Sequence, residues 1–175
     1  INIYVAAPGY MLMSMQKKLL RKKKGVNVEV YLKKIRKGQR VNLKHIKFQA
    51  NKAEFLPVAE EPLKQLLMFL QQNKGVKIEI EGHVNGPNKK NTKGFKLLSY
   101  NRAKSVEQYL VENGISANRV KPLGYGNSRM VYPKAQNEKQ RIENRRVEIN
   151  LQFSPLIVQL FLNSLFIHLC SIKCR

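Results

Sequence analysis

At 175 residues and 43% hydrophobic content, the chain has room for one domain of ordinary size, with its own core, and a flanking piece. Its formal charge of +22 predicts attraction to polyanions: nucleic acid, an acidic polymer or an anionic membrane surface. All 11 acidic residues are glutamates, which excludes Ser-His-Asp triads, aspartyl dyads and EF-hand loops.

The first residues read as the interior of a module, so the chain is expected to start inside a longer protein. Ile3 and Val5 precede Ala7-Pro8-Gly9-Tyr10, and Met11-Leu12-Met13 follows. Short apolar runs around a Pro-Gly turn predict the last strands of a β-sandwich. The Ala-Pro-Gly-Tyr run resembles the end of a carboxypeptidase-regulatory-like β module. A basic connector spans Lys17 to Lys24. Val26, Val28, Val30 and Leu32 alternate with other residues and predict a strand. Lys33 to Arg40 is a second basic stretch, with Gly38 as its turn glycine. Residues 1–40 are therefore read as the end of a truncated β module plus a basic linker strand.

The main domain is read over 41–153. Val41, Leu43, Ile46 and Phe48 predict a strand whose alternation slips by one, as at a bulge. Asn51 to Glu54 is a loop. From Pro57, Leu63, Leu66, Leu67 and Leu70 recur at helical spacing, and Gly75 is the expected stop. Val76, Ile78 and Ile80 alternate with Lys77, Glu79 and Glu81, the pattern of a half-buried strand. A polar loop runs from Gly86 to Lys96. Ser99 is then the expected N-cap of a second helix, with Ala103, Val106 and Leu110 on its apolar face and Gly114 at its end. Arg119 to Tyr125 predicts a short strand, placed at a sheet edge by Pro122. Gly126 to Lys139 is read as a loop. Val147, Ile149, Leu151 and Phe153 alternate as a closing strand. The fold class is α+β, a β-α-β-α-β-β sandwich with two helices packed on a small mixed sheet.

Residues 154–175 form an apolar tail, interrupted by Gln159, Asn163, Ser164 and His168. It is read as a packed extra helix or a non-native extension of the reading frame, with a membrane anchor as a third reading. Cys170 and Cys174 lie too close together to staple the fold, and with His168 they fall short of a metal quartet. No metal or cofactor is expected.

Four motifs stand in order along the second half: Gly82-His83; Leu98-Ser99-Tyr100-Asn101-Arg102-Ala103; Gly124-Tyr125-Gly126; and Arg141-Ile142-Glu143-Asn144-Arg145-Arg146-Val147-Glu148. In that order and spacing they resemble the OmpA-like peptidoglycan-binding domain, over roughly Val41 to Phe153. The resemblance implies a periplasmic domain, on the inner side of a Gram-negative outer membrane, that holds peptidoglycan by the diaminopimelate of its stem peptides.

The free end of diaminopimelate carries a carboxylate and an ammonium. An arginine fork suits the carboxylate, and an anion or strong acceptor suits the ammonium. Arg102, three residues past Ser99, is the expected carboxylate ligand, placed in the first helical turn where free backbone N–H groups also favour an anion. Asn85 stands where the family usually has aspartate. Its carbonyl oxygen can accept from an ammonium without a charge, a loss of about 1 to 2 kcal/mol. Val84 replaces the family's hydroxyl residue, and Phe95 an asparagine. Asn51 matches a polar pocket position. Asn144 and Arg145 match the Asn-Arg-Arg motif, as a loop hydrogen bond and a second cation, or only as a tie between loop and sheet. His83 is expected to be structural, and His45, in a strand, to have no special role.

No nucleophile–base pair, phosphate loop or metal quartet is visible, so the reading is non-catalytic. Two alternatives remain: a degenerate scaffold that has lost its ligand, and a basic nucleic-acid-binding protein. Against the last, aromatics are not interleaved with basic residues as a stacking platform requires, and no specific nucleic-acid partner is expected.

Overall fold

The computed structural model describes residues 2–5, 7–11, 13–16, 30–43 and 46–153. The basic connector 17–24, His45 and the tail with Cys170, Cys174 and His168 lie outside these residues. So does most of the strand expected over 26–32, whose described part, Val30 to Leu32, is not strand.

Near the start, β1 (Asn2–Val5) and β2 (Met13–Gln16) pair antiparallel around the Pro8-Gly9 turn, where Gly9 has φ +80°. Gly38, at φ +74°, makes the expected turn before β3 (Arg40–Asn42). The strand expected to reach Phe48 is shorter. Leu43 N–H still bonds Val147 O at 2.9 Å, but Ile46 N–H then bonds Leu43 O at 3.0 Å. The pairing with β6 thus ends at Leu43, where the apolar alternation slips, and Phe48 forms only an isolated bridge with Phe55.

A 3₁₀ turn at Pro57–Ala59 leads into α1 (Glu60–Gln72), whose first turn carries Glu60 and Glu61 against the positive helix end. It buries Leu63, Leu66, Phe69 and Leu70, with Leu67 packed at the margin. Its end is set by Asn73 and Arg119 rather than by Gly75. Asn73 donates to Phe69 O at 2.9 Å, and Arg119 donates to Leu70 O, Asn73 O and Val76 O at 2.8–2.9 Å. One guanidinium therefore satisfies a carbonyl the helix leaves open and two in the turn and strand that follow. The first module is tied here too, since Gly9 N–H bonds Asn73 Oδ1 at 2.7 Å.

Next come β4 (Val76–Gly82), α2 (Lys93–Glu112), β5 (Val120–Gly124), α3 (Glu138–Asn144) and β6 (Val147–Phe153). The sheet order is β3-β6-β4-β5, with β4 and β5 parallel and the other pairs antiparallel. Pro122 lies on an edge strand, as its missing N–H requires. Register sets Ile80 opposite Ile149 and Ile78 opposite Leu151, so the apolar side chains of β4 and β6 share one face. Against it α2 buries Ala103, Val106 and Leu110, and Gly114 (φ +90°) follows its end.

Two helix expectations change. Thr92, not Ser99, caps α2, its hydroxyl accepting from Phe95 N–H at 3.2 Å. Ser99 is fully buried inside the helix: its hydroxyl donates to Lys96 O and accepts from Gly126 N–H, both at 2.8 Å. The stretch read as loop runs into α3, capped by Asn137, which accepts from Gln140 N–H at 3.0 Å. The α+β class with helices on a small mixed sheet stands, with this third, short helix added.

The helix lies unusually close to the sheet. A Cβ on Gly82 would stand 2.0 Å from Ser99 O, and one on Gly124, its register partner, 2.5 Å from Tyr100 N. Gly82→Ala is expected to cost about 3 kcal/mol, since backbone must shift. Gly38→Ala, with nothing within 4 Å and only a positive φ against it, should cost about 1 kcal/mol. Urea unfolding of the two variants beside wild type checks the contrast.

Candidate functional site

With α2 starting at Lys93, Arg102 sits well inside the helix rather than in its first turn. Free N–H groups of the helix start therefore lie away from it. It projects instead over the 49–54 loop, donating from Nε to Lys52 O at 3.0 Å and from Nη2 to Gln49 O at 3.4 Å. Its guanidinium carbon stands 5.2 Å from the centre of the Phe48 ring. Arg102 is only 6% exposed, and burial pushes its pKa below the ordinary arginine value, with nearby Arg145 adding to the effect. Nη1 has no partner among the described residues, so part of the fork remains for a ligand.

Asn51 lies in the loop that Arg102 holds. It is exposed and takes a left-handed conformation, φ 56°, which asparagine tolerates better than most residues. The loop closes through Gln49 N–H to Glu54 O at 2.9 Å and Lys52 N–H to Gln49 O at 3.2 Å.

Asn85 follows β4 and Asn144 ends α3, just before β6. They meet directly: Asn144 Nδ2 donates to Asn85 Oδ1 at 2.9 Å. The same amide donates to Tyr132 O at 2.8 Å and accepts from Tyr132 N–H at 2.9 Å. Asn144 has no solvent exposure and ties the 126–137 segment to the strand end. Arg145, next to it, pairs with Glu138, whose carboxyl is held below its usual range by that hydrogen bond. The structure thus joins Asn85 to Asn144 and Arg102 to the Asn51 loop, and Arg145 is close enough to Arg102 to act on its charge.

Val84 and Phe95, where the resemblance implies polar residues, put apolar groups in the segment around Asn85. Val84 is 3% exposed, and the half-buried Phe95 ring would stand 2.8 Å from a Cβ on Gly86. Asn127 fastens this loop, donating to Gly86 O and Lys89 O at 2.8 Å.

On the helix-free face, Glu81 and Glu148 stand opposite each other across β4 and β6, beside His83. They are the one group of three potential metal ligands among the described residues. Arginines engage both carboxylates: Arg40 bonds Glu81 at 3.2 Å, Arg129 stands 3.8 Å from it, and Arg146 bonds Glu148 at 2.6 Å. That makes a compensated charge network. His83 is 1% exposed, stacks on Tyr125 with centroids 5.6 Å apart, and neither ring nitrogen has a hydrogen-bond partner.

Gln49 and Lys52 act through backbone carbonyls, which side-chain identity does not reveal. Tyr132 and Glu138 were missed with α3, although Asn137-x-x-Gln140 is a capping pattern that signals a helix start.

The OmpA family model matches residues 47–145. Outer membrane porin F of Pseudomonas fluorescens is 36% identical over 109 residues, 61% of this chain and 32% of that protein, so the chain spans well under half of that relative. Among solved structures, the periplasmic domain of Helicobacter pylori MotB superposes with a TM-score of 0.56 at 21% identity, covering 73% of this chain and 84% of that one. The peptidoglycan-associated lipoprotein of Burkholderia pseudomallei gives 0.52 at 18%, covering 62% and 87%. These two similarities bear on the fold.

Burial, with Arg146, Arg129 and Arg40 nearby, lowers the His83 pKa to about 4, against a weaker opposing effect of Glu148. Glu81 and Tyr125 complete its surroundings. The unfolded chain, with an ordinary value near 6.5, takes up the proton first. The stability contribution is therefore complete above about pH 6.5 and is lost as pH falls toward 4, by on the order of 3 kcal/mol. In His83→Phe this part of the pH dependence should flatten, as read from unfolding free energies between pH 7 and 4.

Proposed function

The chain belongs to the OmpA family, and on that premise we propose that its 41–153 domain is a non-catalytic peptidoglycan-binding module, taking a stem-peptide carboxylate on Arg102. It would act on the periplasmic side of a Gram-negative outer membrane and link that membrane to the wall. The observation that carries this reading is the state of Arg102. It is buried, fixed by two backbone carbonyls and a ring, and keeps unspent N–H donors with Arg145 beside it. A preorganised arginine fork is suited to a carboxylate, because ordering it on binding costs little further entropy. Arg145 can share its charge, since its pair with Glu138 is a surface contact that solvent screens. The name of the Burkholderia neighbour, a peptidoglycan-associated lipoprotein, agrees with this reading.

A second reading is a scaffold without wall contact. It is favoured by Asn85 in place of an acid and by the donors Arg102 already spends on its own loop. The charge of +22 adds a non-specific attraction to anionic membranes and polymers that salt screens.

Cosedimentation with purified sacculi near physiological salt separates the readings. Wild type should pellet with the wall. Arg102→Lys, which keeps the charge and loses the fork, should bind about tenfold less tightly. Arg145→Ala should weaken binding by a smaller factor. Wild type remaining in the supernatant would decide for the scaffold.

A further inference from the structure

We infer that the site selects a carboxylate with no ammonium beside it, because Asn85 leaves its donor side, not its acceptor side, unspent; this deepens the wall-binding reading and rests on it. The argument starts at Asn144, whose amide orientation is fixed by groups that cannot be reversed. Tyr132 N–H can only donate, and it meets Asn144 Oδ1; Tyr132 O can only accept, and it meets Asn144 Nδ2. Asn144 must therefore offer N–H to Asn85 as well, and Asn85 must answer with its oxygen, 2.9 Å away. The half of Asn85 left over is its NH₂, with no acceptor among the described residues.

An aspartate at 85 would keep the bond from Asn144 and leave a second, negative oxygen for an ammonium. Asparagine makes the same bond and leaves two N–H donors. The substitution therefore reverses the sign of the open position instead of only removing charge from it. The remaining groups agree. Lys52 O and Gln49 O are occupied by Arg102, the Glu138 carboxylate is held by Arg145 and Arg141, and Arg102 and Arg145 are cations. An ammonium would meet donors and like charge, whereas the Asn85 NH₂ and the guanidinium groups of Arg102 and Arg145 can each serve a carboxylate. The fitting ligand is a chain ending in a carboxylate whose neighbouring nitrogen is absent or acylated, such as the C-terminal end of a peptide.

Three synthetic stem peptides, amidated at the C-terminus so that the third residue's side chain alone varies the charged end, test this by calorimetric titration of the full chain. They are identical except at the third residue: diaminopimelate, with carboxylate and ammonium at its free end; 2-aminopimelate, with carboxylate alone; and lysine, with ammonium alone. Wild type should hold the 2-aminopimelate peptide at least about fivefold more tightly than the diaminopimelate peptide, and should not retain the lysine peptide. In Asn85→Asp the first preference should reverse, with the fold kept because the Asn144 bond is kept. Wild type preferring diaminopimelate while binding both carboxylate peptides would overturn the inference and leave wall binding standing. No binding of any of the three would overturn both. The wild-type ratio decides the sign even if the variant does not fold.

Discussion

The close approach of α2 to the sheet at Gly82 and Gly124 is the constraint on which the rest of this domain depends. The two glycines are neighbours across a parallel pair, and backbone atoms of Ser99, Tyr100 and Lys96 occupy the space side chains would take. Ser99 then reaches Gly126 N–H through its hydroxyl, so one helix turn is fixed to the end of two strands. Everything in the candidate site is placed from there. Arg102 lies about one turn further along the same helix, Asn85 follows Gly82 by three residues, and Val84 N–H bonds Gly126 O at 3.0 Å. A motif series that looks dispersed in the sequence is one contact in space.

This explains what was legible in the sequence. The period-2 runs of Val76 to Ile80 and Val147 to Phe153 and the helical spacing of Leu63 to Leu70 report burial directly, so these elements emerged correctly. Pro122 and Gly114 likewise carry one backbone restriction each. Ser99 misled because a serine before an apolar face has two common uses, capping a helix or clasping a neighbour inside one. Only the partner, Gly126, separates them, and it is 27 residues away in the chain. The preceding Asn- and Lys-rich stretch hid a helical turn capped by Thr92, since surface turns have no apolar period to betray them. The site was legible as a set of residue types. Its polarity was not, because that depends on which way two amides face, and Tyr132 decides it.

The two faces of the sheet solve different problems. The helix side is closed by aliphatic groups and leaves little to electrostatics. The other side sets Glu81 against Glu148, a like-charge pair that is unfavourable alone. Arg40, Arg129 and Arg146 compensate it, and Arg129 also lies over Tyr125, 3.6 Å from its centroid. The stack of Arg129, Tyr125 and His83 joins the Gly-Tyr-Gly turn to the Gly-His strand end on the side away from α2. The same strand termini are therefore gripped from both sides, by close backbone packing on one and by a charged, stacked layer on the other.

The edges of the sheet bear on how many copies can share a surface. On one edge β3 offers three residues. On the other, β5 has Pro122 at its centre and the ammonium of Lys121 directed to solvent beside Glu79. Among the described residues, neither presents the long, unbroken ladder of free N–H and C=O groups that recruits a strand from another molecule. Copies of the domain brought close together would therefore find little at these two edges through which one sheet could be continued into the next.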